Sequence, residues 1–392
     1  MKRINNALIV IIMIMSLVAC GDNGERMTKE SKKASDVNVS SEVNTETKDV
    51  TTMVNENTTE EEMTTEEYLS GVHWKLEGDT LMIYGNGEME DYLFDEDKEI
   101  TTAPWKNEKF KKVVVEEGVT KIGDNAFAEC NDLTKIELSS GLTHIGASAF
   151  LDCDSLTSIE LPSGLVSIGD NVFWDCDSLT SIKLPSGLTS IGDNAFWDCD
   201  SLTSIELPSG LTHIGTSAFY KCSALANIEL PSTLTSIGEN TFWECDSLTS
   251  IELPRELTYI GECTFYGCTS LTSIELPSEL ISIGDYVFSW CISLTNVELP
   301  SGLTSIGRST FSDCYSLMNI ELPSGLASIG DYAFSQCKGL TSIELPSGLN
   351  SIGDYAFSRG AFVEIPPITI YGASGSYAEI WAKENGCTFV VK

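Results

Sequence analysis

Between residues 113 and 359 the apolar positions of this chain fall into a strict rhythm. The dipeptide Ile-Gly recurs every 23 residues at Ile122, Ile145, Ile168, Ile191, Ile214, Ile237, Ile260, Ile283, Ile306, Ile329 and Ile352, without insertion or deletion. One unit begins at Leu202 and carries its other apolar residues at Ile205, Leu207, Leu211, Ile214, Ala218, Phe219 and Cys222. In Ile205-Glu206-Leu207 the apolar residues alternate with glutamate, the period-2 signature of a half-buried strand. Pro208 then stops it. Nine of the twelve prolines, Pro162 through Pro346, hold this position, where a missing N–H does no harm because the ladder has ended. Gly215 and its equivalents predict a backbone turn with positive φ or a close approach of two chains. The following segment, such as Asp193-Asn194-Ala195-Phe196, predicts a single helical or 3₁₀ turn.

A period of 20 to 29 residues with Leu and Ile at regular offsets predicts a β-rich solenoid, a leucine-rich repeat array of about eleven units. Each unit is too small to hold a core and buries its apolar face against its neighbours. Stacked at ~4.8 Å, the array is about 50 Å long.

The flanks read differently. Trp74 to Glu77 and Thr80 to Tyr84, joined by Gly78-Asp79, predict a β-hairpin in an N-terminal β cap over residues 68–112. Trp74, Tyr84, Tyr92, Phe94 and Trp105 supply the bulk that covers the first rung. Residues 360–392 form a C-terminal cap: Thr369 to Gly372, an amphipathic stretch from Ser376 to Asn385, and a terminal strand from Thr388 to Val391.

The first twenty residues predict an export signal, with Lys2 and Arg3 ahead of an apolar run, Ala7 to Val18, too short to span a bilayer. The run closes in Leu17-Val18-Ala19-Cys20-Gly21, which resembles the bacterial lipobox and marks Cys20 for lipidation. More than one acyl chain is needed for stable anchorage, and a bacterial lipoprotein carries two or three. Residues 21–67 are a Thr/Glu-rich acidic stalk, too poor in large apolar residues to offset its chain entropy on folding.

The unit Leu-x-x-Ile-x-Leu-Pro-x-x-Leu-x-x-Ile-Gly-x-x-Ala-Phe-x-x-Cys resembles the repeat of BspA-type and treponemal leucine-rich repeat surface proteins over residues 113–357. The Trp74 to Trp105 block and the Gly375-Ser376-Tyr377-Ala378-Glu379 ending are similar to segments that bracket such arrays in Gram-positive gut bacteria. The resemblance implies an exported cell-surface protein, of a family in which several members are adhesins. The chain departs from the ordinary leucine-rich consensus, with Gly210 where Asn or Cys follows the strand and the cysteine moved to the end of the unit.

Composition narrows the partners. With 58 acidic and 23 basic residues the formal charge is -35, which excludes nucleic acid because phosphate binding needs the opposite sign. A protein or glycan partner fits, and the membrane is met through the lipid anchor alone. Ten cysteines stand in register from Cys130 to Cys337. Side chains one per rung, ~4.8 Å apart with parallel Cβ vectors, suit neither disulfides nor tetrahedral metal, so they read as a buried thiol ladder. Cys263 and Cys387 lie outside it and are expected to be the reactive thiols. His73, His144 and His213 are the three histidines, and 144 and 213 stand three whole periods apart. No catalytic motif, metal site or cofactor motif appears.

Two faces remain as binding candidates. Trp174, Trp197, Tyr220, Trp243 and Tyr266 follow the buried Phe in five successive units, and suit either stacking on a ligand or covering the junction between rungs. The outward strand position is a glutamate file that includes Glu206, Glu229, Glu252 and Glu275, interrupted by Lys183. It suits a cation, a basic partner or a solvated face that prevents aggregation. A structural, self-associating surface component is the rival to a binding protein.

Overall fold

The computed structural model describes residues 71–95, 100–359 and 367–392. The export signal, Cys20 and the acidic stalk lie outside the described residues. Within them the chain is the β-solenoid that its period predicts.

Each rung contributes two short parallel strands and a compact turn segment. One strand column is formed by Ser-Ile-Glu segments, as where Ile274 pairs with Val297 and Val297 with Ile320. The second column is the Ile-Gly segment, where Ile168 pairs with Ile191 and Ile191 with Ile214. In both the partner lies one period away, so equivalent side chains stack directly. Leu202, Leu211, Ala218, Phe219 and Cys222 are fully buried, and their equivalents along the array are buried apart from Cys130. Eleven phenylalanines, Phe127 to Phe357, form one continuous stack with ring centroids 5.3–5.7 Å apart.

The turn segment departs from the expectation of a helical turn. Two residues per rung are left-handed, as at Asn194 (φ 54°) and Asp198 (φ 57°), and apart from Gly267 none of them is glycine. Asn and Asp tolerate this region because their short polar side chains bond locally, which is why they recur there. Gly215 serves the other purpose expected of it. Its φ is not left-handed, and a Cβ there would stand 2.6 Å from the backbone of Gly192 and Asp193.

Alternate turn N–H groups point forward to the next rung: Asn125 to Ala147 O, Phe127 to Ala149 O and Glu129 to Leu151 O, at 2.8–3.0 Å. This column continues through Tyr332 to Asp354 O and Phe334 to Ala356 O. Its first carbonyls are capped by the N-terminal block, with Tyr92 N–H donating to Asp124 O and the Trp105 indole N–H to Ala126 O at 2.8 Å.

That block is built on a hairpin of β1 (Gly71–Glu77) and β2 (Thr80–Glu88), turning at Gly78. The first half of β2 pairs with β3 (Lys112–Val115) and the second half with β4 (Val119–Ile122), so one long strand starts both columns. Trp105, 2% exposed, lies flat on Phe127 at 5.5 Å. At the far end, strand Thr369–Gly372 continues the Ser-Ile-Glu column, and Thr388–Val391 pairs with it. Helix α1 (Tyr377–Glu384), capped by Ser376 and Asn385, sets Trp381 edge-on to Phe357 at 5.6 Å.

Candidate binding faces of the solenoid

Exact repetition places the aromatic candidates in one file. Trp174, Trp197, Tyr220, Trp243 and Tyr266 stack with centroids 5.0, 3.8, 5.6 and 3.9 Å apart and planes within 26°. Their faces are turned to one another. Trp197, Tyr220 and Trp243 are 7, 4 and 5% exposed, while the end members Trp174 and Tyr266 are half-buried. Burial, with Glu244 nearby, raises the Tyr220 hydroxyl above its ordinary range. What the file offers to solvent is ring edges.

Beside these rings runs a file of half-buried carboxylates in left-handed backbone, Asp152, Asp175 and Asp198. Burial pushes Asp175 up to about 7, helped by repulsion from Asp198 and Asp177. Asp198 rises to about 6 by burial, relieved in part by Lys221. Asp152 is raised furthest, to about 9, by burial and then by side-chain hydrogen bonds with Glu129 and Asp154. The sequence sets Asp175, Asp198 and Glu244 beside the aromatic file, and Asp or Glu precedes the ladder cysteine in six of ten units, but spacing alone does not show their burial.

The glutamate file occupies the Ser-Ile-Glu column. Glu275 lies in register with Glu298, and Glu298 with Glu321. Glu229, Glu252 and Glu275 are bridged in the same way. Its ends are neutralised: Glu137 by Lys112 and Lys135 at 3.0 and 2.8 Å, Glu160 by Lys183, and Glu344 by Lys392. Between them Glu206, Glu229, Glu252, Glu275, Glu298 and Glu321 have no ion-pair partner among the described residues. Like charges held this close repel and lower stability.

The ladder cysteines are unbridged, and all but Cys130 are buried. Each from Cys153 onward donates its thiol to a carbonyl 26 residues earlier, as Cys222 does to Phe196 O at 3.1 Å. Burial drives these thiols far above the ordinary range, and Cys130 up to about 12. Thiolate chemistry is thereby suppressed. Of the two cysteines outside the ladder, Cys263 is 1% exposed in a left-handed turn position, where a reactive thiol would need to be accessible. Cys387 is half-buried in the C-terminal cap.

His144 and His213 are exposed and sit in the Ile-Gly column, three rungs apart, and His144 Nδ1 lies 2.9 Å from the Thr143 hydroxyl. Among the described residues no group of three His, Cys, Asp or Glu side chains is arranged to hold a metal ion. No described helix is long and apolar enough to cross a membrane.

The model of the BspA-type leucine-rich repeat region matches residues 98–225, 189–283 and 263–370. The chain belongs to this family. Among solved structures it is similar to the pneumococcal vaccine antigen PcpA, at 18% identity and a TM-score of 0.53, over 82% of this chain and 97% of that one. A leucine-rich repeat protein from Bacteroides ovatus is 23% identical with a TM-score of 0.47, over 82% and 98%. A leucine-rich cell-surface protein from Faecalibacterium prausnitzii is 24% identical with a TM-score of 0.47, over 80% and 96%. The likeness to PcpA speaks for the fold and no further. No curated protein matches the chain.

Proposed function

We propose that this protein is a lipid-anchored, non-catalytic binding and adhesion protein of the bacterial cell surface, which presents its solenoid to a protein or glycan ligand. The observation that carries the reading is the order of parts: an apolar leader ending in Leu17-Val18-Ala19-Cys20-Gly21, an acidic stretch, and then a capped array of the BspA type. Lipidation of Cys20 would tether the chain, and about 45 extended polar residues would hold the array tens of ångströms from the bilayer. Regular side faces with no convergent polar cluster suit recognition of an extended partner better than turnover of a small molecule. The aromatic file and the glutamate file are the two faces proposed to meet it, the first through ring edges and the second through charge.

Cys20→Ala tests the anchor. The variant is expected to leave the detergent phase and the membrane fraction, and cells carrying it to lose adhesion to immobilised host glycoprotein. Unchanged partitioning would remove the anchor from the reading. One feature favours self-association instead: among the described residues strand Thr388–Val391 pairs on one side only, and Val391 is 60% exposed. Sedimentation of the protein at micromolar concentration separates the two, since a binding protein of this kind stays monomeric.

A further inference from the structure

The two ends of the forward-pointing N–H column are finished differently. At the first rung its carbonyls are met by Tyr92 N–H and the Trp105 indole. At the last rung, Tyr355 N–H and Phe357 N–H occupy the positions from which Tyr332 and Phe334 donate to Asp354 O and Ala356 O, and no rung follows to accept from them. Neither has an acceptor among the described residues. Backbone donors in a folded protein nearly always find a partner, in the protein or beyond it.

The same ending applies to two side chains. In earlier rungs the aspartate before the turn accepts from the backbone of the next rung, as Asp331 Oδ1 does from Asp354 N–H at 2.8 Å. Asp354 has no next rung to serve. Tyr355 stacks on Tyr332 at 5.2 Å and, among the described residues, on no other ring. Its second face, directed along the solenoid axis, is left open. Tyr355 is 63% exposed and left-handed (φ 56°), at a position that tyrosine also holds in Tyr286 and Tyr332 and that Asn125, Asn171, Asn194 and Asn240 fill without strain. Of these three tyrosines Tyr355 is the most exposed, against 8% for Tyr286 and 36% for Tyr332.

Asp354, Tyr355 and Phe357 line a recess of 460 Å³, completed by Trp381, Asn385 and Cys387 of the C-terminal cap. We propose that this recess binds a pyranose unit of a glycan. The apolar C–H face of a sugar ring lies on the open face of Tyr355. Hydroxyl oxygens accept from Tyr355 and Phe357 N–H, while a hydroxyl hydrogen is donated to the Asp354 carboxylate. A ligand that must both accept and donate is a polyol. A phosphate or carboxylate ligand could meet the N–H pair but would be repelled by Asp354 and by the net charge of -35. A second copy stacked end to end is excluded on its side by the hairpin and Trp105 that cover its first rung. The inference deepens the binding function proposed above and rests on it.

The test is saturation-transfer NMR on the full chain with the methyl pyranosides of glucose, galactose, mannose and N-acetylglucosamine, and inorganic phosphate as the anionic probe. Transfer to ring protons of at least one pyranoside is expected, together with slower alkylation of Cys387 by iodoacetamide when that sugar is present. Tyr355→Asn is expected to melt no lower than the parent, because it relieves the left-handed strain, and to weaken pyranoside binding at least tenfold. No transfer to any of the four sugars, transfer unchanged in Tyr355→Asn, or displacement of the sugar by phosphate would overturn the proposal. Adhesion of cells bearing Tyr355→Asn is scored in parallel. Wild-type adhesion without pyranoside binding refutes this site and leaves the binding function standing, whereas loss of adhesion in the parent refutes the function itself.

Discussion

Replacing Asp175 by Asn should stabilise the solenoid at pH 8 and leave it unchanged at pH 4. The carboxyl is half-buried, one rung from Asp198 and beside Asp177, and burial raises it from 3.8 to about 7. A carboxyl raised on folding binds its proton more tightly in the native state. Its contribution is therefore complete below pH about 4 and is lost as the pH climbs through about 7. At about 1.4 kcal/mol for each tenfold change in proton affinity, the ceiling is about 4 kcal/mol. Half of the group keeps its water, so screening reduces the realised difference to about 1–2 kcal/mol. Asparagine has no charge to bury, and its side chain suits the left-handed φ of 59° at this position. Thermal unfolding followed by circular dichroism at pH 4, 5.5, 7 and 8.5 measures the effect as parent minus variant, which cancels the titration of the remaining acids. The melting temperatures are expected to coincide at pH 4 and to diverge by about 2–6 °C at pH 8.5, the variant higher. An equal gain at every pH would assign the effect to backbone preference, and a less stable variant at pH 8.5 would show that the carboxylate stabilises the fold. Either result refutes the argument from burial.

Three further outcomes follow from the packing. The ten ladder thiols should be unbridged in mass spectra after denaturing alkylation, and those from Cys153 onward should resist iodoacetamide in the native protein while Cys387 reacts first. Trp197→Ala removes a ring covered on both faces, so chemical denaturation should report a loss of about 3–4 kcal/mol; an unchanged midpoint would show that the ring does not hold adjacent rungs together. Glu252→Lys, placed between Glu229 and Glu275, should raise stability by about 0.5–1 kcal/mol in 20 mM salt, with the gain vanishing in 1 M NaCl, as measured by melting in the two buffers.

The array was legible because a 23-residue period admits one kind of stacking, and Pro208 and its equivalents mark where each strand ends. The thiol ladder followed from register alone. Its hydrogen bonds did not, since nothing in the spacing of Cys222 and Phe196 shows that a carbonyl lies in reach. The segment Asp193 to Phe196 reads as a single helical or 3₁₀ turn because the period gives no sign that Asn194 takes up left-handed backbone. For the aromatic candidates, period placed the five rings in one file but could not orient them. Their mutual stacking depends on a rung spacing close to the thickness of a ring, which appears only once the strands are paired. The open ending at Tyr355 was invisible for a related reason: a missing acceptor is a property of the rung that does not follow.

The in-register pairing of rungs has a consequence at the level of the gene. Every interior unit meets its neighbours through the same bonds at the same offset, so deleting or duplicating 23 residues joins surfaces that already fit. Unequal crossing-over between near-identical coding segments would change the number of rungs while preserving reading frame, the Trp105 lid and the Tyr355 ending. Each event alters reach by about 5 Å and adds or removes one carboxylate on the glutamate side. Length is thus a trait on which selection can act in single, individually viable steps.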